Sequence, residues 1–154
     1  MARRGKRSSW MVLLATGAIV VAGRASDANA QVVRVTDYGA EPGSRKNAVA
    51  AVGRALEACR GLERPVLVFP RGRYDFWPQH AVEKVYFESN TTAVNPKRLA
   101  IFIEGFAGLT VDGGGSTFVF HDRMQPFTVD RSTGVTIRDP SIDSDIPPSA
   151  EAVA

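Results

Sequence analysis

Apolar and polar residues alternate in short stretches, and the same stretch recurs 26 residues further along the chain. Each copy holds two apolar-alternating segments joined by a turn of small residues, as expected for two short strands. The aligned pairs are Ile101 with Phe127, Ile103 with Val129, Gly108 with Gly134, Leu109 with Val135, Thr110 with Thr136 and Val111 with Ile137. A strand-based repeat of this length is typical of a solenoid. The pattern therefore predicts the beginning of an all-β, parallel β-helix (solenoid) with stacked coils.

One segment has helical periodicity, and it predicts an α-helix over 48–60. Asn47 is suited to cap the start of this helix, and Gly61 is suited to end it. The end of a β-helix exposes unpaired backbone groups, so we expect the helix to cap the N-terminal end. The apolar face of the helix consists of Val49, Val52, Leu56 and Cys59.

Strands are predicted over 32–35, 65–69, 73–76, 84–88, 100–104, 109–112, 117–121, 127–130 and 135–138, with a polar loop over 90–96. The triplet Gly113, Gly114 and Gly115 predicts tight turning between two of them. From Ser144 onward no periodicity is present. The predicted organisation is one domain over 31–143, made of the cap and the first coils, followed by an irregular tail over 144–154.

The first thirty residues have the pattern of a signal peptide. A basic stretch, a 14-residue apolar stretch from Trp10 to Gly23 and an Ala28-Asn29-Ala30 site follow one another. The apolar stretch is shorter than the ~20 residues that span a bilayer, so we expect export with cleavage after Ala30 and no membrane anchor. The rest of the chain carries 14 basic and 15 acidic residues. The basic balance of the whole chain therefore comes from the leader and does not indicate nucleic-acid binding.

The cysteine and the possible metal ligands of the sequence do not predict a disulfide or a metal site. Cys59 is the only cysteine, so no disulfide forms within the chain, and its place on the helix predicts a small buried apolar side chain. No set of His, Cys and carboxylate residues has metal-ligand spacing. We therefore expect neither a metal nor another cofactor, and no pattern fixes the oligomeric state.

Two motifs resemble the N-terminal entry of pectin-lyase-like β-helix proteins. The first is Asp37-Tyr38-Gly39-Ala40, which precedes the predicted helix, and the second is the run from Val66 to Tyr74 with its Pro70-Arg71-Gly72 turn. This resemblance to polygalacturonases, pectate-lyase-like proteins and phage tailspikes implies a right-handed parallel β-helix. It implies little about chemistry.

A narrower resemblance covers about 33–148 and is carried by several motifs. They are Tyr74-Asp75-Phe76-Trp77-Pro78, Tyr86-Phe87-Glu88-Ser89-Asn90, Ile103-Glu104-Gly105, Val111-Asp112-Gly113, Phe118-Val119-Phe120-His121, Met124-Gln125-Pro126-Phe127 and Ser141-Ile142-Asp143. Together they look like glycoside hydrolase family 110, whose members are exo-acting, inverting α-1,3-galactosidases acting on glycans such as the blood-group B determinant. The resemblance implies a glycan substrate and no metal.

Two departures limit what the resemblance carries over. Members of that family are several times longer, and their catalytic aspartates lie in later coils, so no catalytic residue is assigned here. The family tends to have an aromatic residue where this chain has Ser144. We therefore expect an N-terminal portion of such an enzyme that is inactive by itself.

The candidate substrate-binding residues are Trp77, Asp143 and Asp145. A tryptophan can stack on a sugar ring, although aromatic residues near an end coil, such as Tyr74 and Phe76, more often pack against the cap. The two aspartates have i, i+2 spacing, which places both on one face of a strand, with a solvated tail as the alternative. His121 is expected to be structural.

Two other functions stay open. Arg71 and Arg73 could grip an anionic sugar, as in a polygalacturonase or pectate-lyase-like enzyme, although a solvated turn pair is the default expectation. A non-catalytic glycan-binding β-helix module is the other alternative. Asp112, Asp130 and Asp139 lie beside turns, where Asp bonds its own backbone, so we expect them to form turns.

Overall fold

The computed structural model describes residues 29–86 and 96–146. These residues form short strands, one α-helix and a 3₁₀ helix, Val35–Tyr38. The α-helix is α1, Val49–Ala58. The strands are β1 Gln31–Arg34, β2 Pro65–Val68, β3 Arg73–Phe76, β4 Val82–Lys84, β5 Lys97–Glu104, β6 Thr110–Asp112, β7 Thr117–Phe120, β8 Gln125–Asp130, β9 Thr136–Arg138 and β10 Ser141–Ser144.

The strands form three sheets that the chain visits in a fixed order. The first sheet is β1-β2-β6-β9, the second is β3-β7-β10 and the third is β4-β5-β8. All neighbours are parallel except β4 and β5, which are antiparallel. From β5 onward the chain passes through the third, first and second sheets and then repeats that order.

The predicted repeat is confirmed as a strand register. Ile101 pairs with Phe127 and Ile103 with Val129 between β5 and β8. Val111 pairs with Ile137 between β6 and β9 at the same spacing. Equivalent apolar positions therefore stack directly on one another, which is the physical reason for their recurrence in the sequence.

The core is built around aromatic rings. Phe76 and Phe120 stack with ring centroids 4.8 Å apart, and Phe118 contacts Phe69 at 4.6 Å. Tyr74 is fully buried beside them, and its hydroxyl donates to the Pro70 carbonyl at 2.7 Å. Burial raises the Tyr74 pKa to about 12. Phe69 follows β2, whereas the other four rings lie on alternate positions of β3 and β7. The residues between those four rings therefore point to the opposite face of the second sheet.

Helix α1 is shorter than predicted at both ends, and its predicted apolar face is buried. It contacts the 3₁₀ helix, β5 and β1. Asn47 lies one residue before the N-cap position, which Ala48 occupies, but its Oδ1 still accepts from the Val49 N–H at 3.1 Å. Cys59 is buried as expected, and burial raises its pKa to about 11.

Three predictions differ from the structure. The predicted strand at 32–35 ends earlier, because Val35 begins the 3₁₀ helix. The strand predicted at 84–88 is instead Val82–Lys84, where antiparallel pairing with β5 fixes the register. The patterns did not predict β10, and Ser144, the first residue of the predicted tail, belongs to it.

Several predicted segments lie outside the described residues. They are residues 1–28 of the leader, 87–95 of the predicted strand and loop, and 147–154 of the tail. Among the described residues, no helix is both long and apolar enough to cross a membrane.

The predicted glycine turn is present, and Gly114 shows why it needs glycine. Its φ is +56°, and a Cβ at this position would lie 2.7 Å from the Phe69 carbonyl oxygen. An L-residue at that φ is strained, and this contact is too short for a side chain. The turn therefore depends on a residue without a side chain.

Apolar side chains are exposed on the last strands of all three sheets. Val129 on β8, Ile137 on β9 and Ile142 on β10 are exposed. Each of these strands lies at the edge of its sheet among the described residues. Exposed apolar residues on edge strands favour association with another surface.

Candidate functional site

The three candidate binding residues, Trp77, Asp143 and Asp145, lie on the outer face of the second sheet or at its end. Asp75 on β3, Val119 on β7 and Asp143 on β10 occupy one row of the ladder. Val119 is buried yet lies outside the aromatic core cluster. Side chains alternate along each strand, so this row faces away from the core. Two residues further on, Trp77 and Asp145 flank His121.

Trp77 is held from two directions. Its indole stacks on the His121 imidazole, with ring centroids 3.6 Å apart and planes 6° from parallel. Asn47 fixes its backbone: the Asn47 Oδ1 accepts from the Trp77 N–H at 3.1 Å, and Nδ2 donates to the Trp77 carbonyl at 3.2 Å. Trp77 is nevertheless 38% exposed. The ring is therefore accessible but confined to one orientation.

His121 connects two carboxylates across the sheet. Its Nε2 lies 2.8 Å from Asp75 Oδ1, and its Nδ1 lies 2.8 Å from Asp145 Oδ2. A neutral imidazole has a single N–H, so only the doubly protonated ring donates to both oxygens. The expectation of a structural histidine agrees with this buried, doubly bonded position, although no local pattern indicated its two partners.

Asp75 is the buried centre of this network. It is 2% exposed, and Arg73 binds it through both Nε and Nη2, with the Nη2 to Oδ1 distance at 2.6 Å. The hydrogen bond from Arg73, reinforced by the one from His121, holds the pKa of the Asp75 carboxyl below its usual value despite burial. Arg73 is thus an ion-pair partner and not the solvated turn residue that was expected.

Asp145 is anchored by hydrogen bonds although its side chain is 43% exposed. Its Oδ1 accepts from the Asp122 N–H at 2.9 Å, and its Oδ2 meets His121. The His121 contact lowers the pKa of the Asp145 carboxyl. Asp143 is exposed, and its Oδ1 accepts from the following N–H, that of Ser144, at 2.9 Å. The i, i+2 spacing therefore places both aspartates on this face, one bonded and one open.

The geometry does not form an acid–base pair. A general acid in a glycosidase needs a carboxyl whose pKa is raised. The pKa of Asp75 is lowered chiefly by its hydrogen bond from Arg73, and the pKa of Asp145 is lowered chiefly by its hydrogen bond with His121. Glu104 is likewise held ionised by its hydrogen bond from Lys84 at 2.8 Å, with a further one from Arg131. These three carboxylates are suited to holding structure or accepting hydrogen bonds.

Other predicted residues have structural partners. Tyr74 and Phe76 are buried in the core and are not accessible to a ligand. Asp112 forms a turn as predicted, since its Oδ1 accepts from the Gly114 N–H, and it also pairs with Arg138 at 2.7 Å. The Tyr86 hydroxyl donates to Asp130 Oδ2 at 2.9 Å. In the described part of the chain, no group of three or more His, Cys, Asp or Glu residues could hold a metal ion.

Sequence reasoning did not place Asp75 or Asn47 in this site, and it considered Arg73 only as a ligand for an anionic sugar and not as the partner of Asp75. A signal for Asp75 and Arg73 is present: Tyr74 and Phe76 alternate with Arg73, Asp75 and Trp77, so the polar residues share one face. No local pattern relates Asn47 to Trp77, since thirty residues separate them.

No family model matches the chain. The alpha-1,3-galactosidase B of Bacteroides thetaiotaomicron is 48% identical over 128 residues, covering 83% of this chain and 21% of that protein. The alpha-1,3-galactosidase A of Shewanella woodyi is 36% identical over 153 residues, covering 99% of this chain and 25% of that protein. The alpha-1,3-galactosidase B of Bacteroides fragilis is 35% identical over 146 residues, covering 91% of this chain and 24% of that protein.

All three relatives are named as galactosidases, and each name specifies the α-1,3 linkage. The chain is related to the α-1,3-galactosidase family. It spans about a fifth to a quarter of the length of these relatives. The narrower resemblance, to α-1,3-galactosidases, is confirmed.

Proposed function

We propose that this chain belongs to an inverting exo-α-galactosidase of the family 110 type, which removes terminal α-1,3-linked galactose from glycans such as the blood-group B determinant. The observation that carries the proposal is the 48% identity to a named α-1,3-galactosidase over most of the chain. The catalytic carboxylates are proposed to lie in parts of the enzyme that have no counterpart here, because the bonded carboxylates at this site are ionised.

The proposed fold is the start of a right-handed parallel β-helix with α1 as its N-terminal cap. Parallel pairing, the cyclic order of the three sheets and the common register of β5 with β8 and β6 with β9 support it. The contacts of α1 with β1 and the 3₁₀ helix support the cap. The proposed location is outside the cytoplasm, periplasmic or extracellular, and this rests on the leader sequence alone.

A polygalacturonase or lyase function is disfavoured by one observation. Arg73 is the side chain best placed to bind an anionic sugar on this face. Its guanidinium group is already hydrogen-bonded to Asp75. A non-catalytic glycan-binding module stays a second candidate, because the exposed Trp77 is compatible with binding in the absence of hydrolysis.

The test is an assay of the complete reading frame that contains this sequence, alongside the 154-residue chain. We expect the complete protein to release galactose from a linear B-type trisaccharide with inverted anomeric configuration, followed by NMR, and to leave polygalacturonate intact. The 154-residue chain is expected to release none. Cleavage of polygalacturonate would support the pectin-type alternative, and saturable binding with no hydrolysis would support a binding module.

A further inference from the structure

Trp77 has the properties of a preformed stacking platform. Asn47 holds its backbone, and His121 covers one side of its ring. Among the described residues, His121 is the only ring that stacks on it. A ligand that contacts the remaining exposed surface does not need to order this side chain, which reduces the entropic cost of binding.

Asp143 supplies a hydrogen-bond acceptor on the same face. One of its oxygens accepts from the Ser144 N–H, and within the described ranges its other oxygen accepts no hydrogen bond. Asp143 lies two strands away from Trp77 and two residues back along the ladder. Strand spacing and rise per residue then separate the two Cα atoms by about 12 Å, a distance that one or two linked sugar rings span.

The charge of this face selects against anionic sugars. Arg73 carries a positive charge but is bound to Asp75, and His121 is hydrogen-bonded to Asp75 and Asp145. Asp143 adds a negative charge, which interacts electrostatically with Arg73. Hydroxyl groups donate readily to such a carboxylate, whereas a uronate would meet like charge.

We propose that Trp77 and Asp143 form a binding site for a neutral galactose-type pyranose on the outer face of the second sheet. The C–H face of the sugar packs on the indole, and its hydroxyls donate to Asp143. Asn47 and His121 are positioning residues, because they act through Trp77. The choice of galactose among neutral sugars rests on the proposed function.

The site has its own spectroscopic probe. The sequence contains two tryptophans, Trp10 and Trp77, so a chain that begins at Gln31 reports from Trp77 alone. We expect saturable changes in tryptophan fluorescence on titration with methyl α-galactoside or the B-type trisaccharide. Galacturonate is expected to bind at least tenfold more weakly.

Variants separate the two contacts. Trp77→Ala is expected to abolish binding measured by calorimetry, and Trp77→Tyr to retain part of it, because a smaller aromatic face is kept. Asp143→Asn is expected to weaken binding of neutral galactosides about tenfold, or about 1.4 kcal/mol. It should also reduce the difference in affinity between neutral galactosides and galacturonate. Val85→Ala, at an exposed apolar residue away from this sheet, is the matched control and should bind normally.

The absence of any saturable signal in the unsubstituted, folded chain would overturn the proposal, as would equal binding of galacturonate. Unchanged binding by a folded Trp77→Ala variant would do the same. If the complete protein releases galactose while Trp77→Ala leaves its KM unchanged, this site fails and the proposed function stands. If galactosides bind at Trp77 and the complete protein releases no galactose, the proposed function fails instead.

Discussion

His121 joins Asp75 to Asp145 through its two ring nitrogens, each 2.8 Å from a carboxylate oxygen. The two aspartates belong to passes of the chain separated by the whole of β5 to β9. A single imidazole therefore fixes the end of β10 to the buried end of β3. This makes the site and the stability of the last strand depend on the same side chain.

Replacement of His121 by Phe should destabilise the fold by about 2 kcal/mol, because Asp75 loses one of its two side-chain hydrogen-bond partners while it stays buried. The midpoint of urea denaturation measures this effect. His80→Asn is the control, since His80 is the other histidine, is exposed and has a positive φ that Asn tolerates. Equal losses in the two variants would contradict a specific role of the His121 bridge.

Acid should destabilise the chain through Asp75. Its pKa is lower in the folded chain than its usual value of 3.8, chiefly because of Arg73. The stabilisation that ionised Asp75 gives the fold is therefore fully present above about pH 4. It is lost as the pH falls through the pKa that Asp75 has in the folded chain. The pKa of Asp145 is also lowered in the folded chain, but this side chain is more exposed, so its effect on acid stability is smaller.

Urea midpoints measured between pH 7 and pH 3 test the acid prediction. Asp75→Asn should lower the midpoint at pH 7 and make the decline below pH 4 shallower. Glu63→Gln, an exposed carboxyl for comparison, should leave the pH profile unchanged. A profile of Asp75→Asn parallel to that of the unsubstituted chain would show that another group controls acid unfolding.

Two glycine substitutions should have opposite effects. Gly114→Ala places a Cβ 2.7 Å from the Phe69 carbonyl at a φ of +56°, so we expect a loss of about 2 kcal/mol or more. Gly53→Ala lies within α1 with nothing within 4 Å of the added Cβ, and should stabilise by about 0.5–1 kcal/mol. Thermal denaturation followed by circular dichroism measures both. Stabilisation by Gly114→Ala would show that the turn tolerates a side chain.

The exposed apolar residues of the edge strands should promote self-association. Replacing both Ile137 and Ile142 with Lys places charge on β9 and β10, which should shift the chain towards monomer. Light scattering coupled to size-exclusion chromatography over a concentration series measures the change. Val85→Lys, exposed but outside any strand, is the control. A chain that is monomeric at every concentration without substitution would rule the prediction out.

The sequence by itself determined the repeating part of this protein. Residues 26 apart pair in register because stacked strands require similar apolar side chains at equivalent positions, and that requirement leaves a local pattern. The apolar face of α1 and the burial of Cys59 were also predictable, since the helical period is a local property.

Only the tertiary structure decided the site. Asn47 meets Trp77, and Asp75 meets His121, across separations of thirty and 46 residues. Strand β10 has few apolar residues to mark it, and it forms because β7 offers a parallel edge for pairing. Such contacts depend on which strands become neighbours, and no period along the chain encodes that. Parallel stacking brings each member of the site onto one face, where charge and hydrogen bonding fix its orientation.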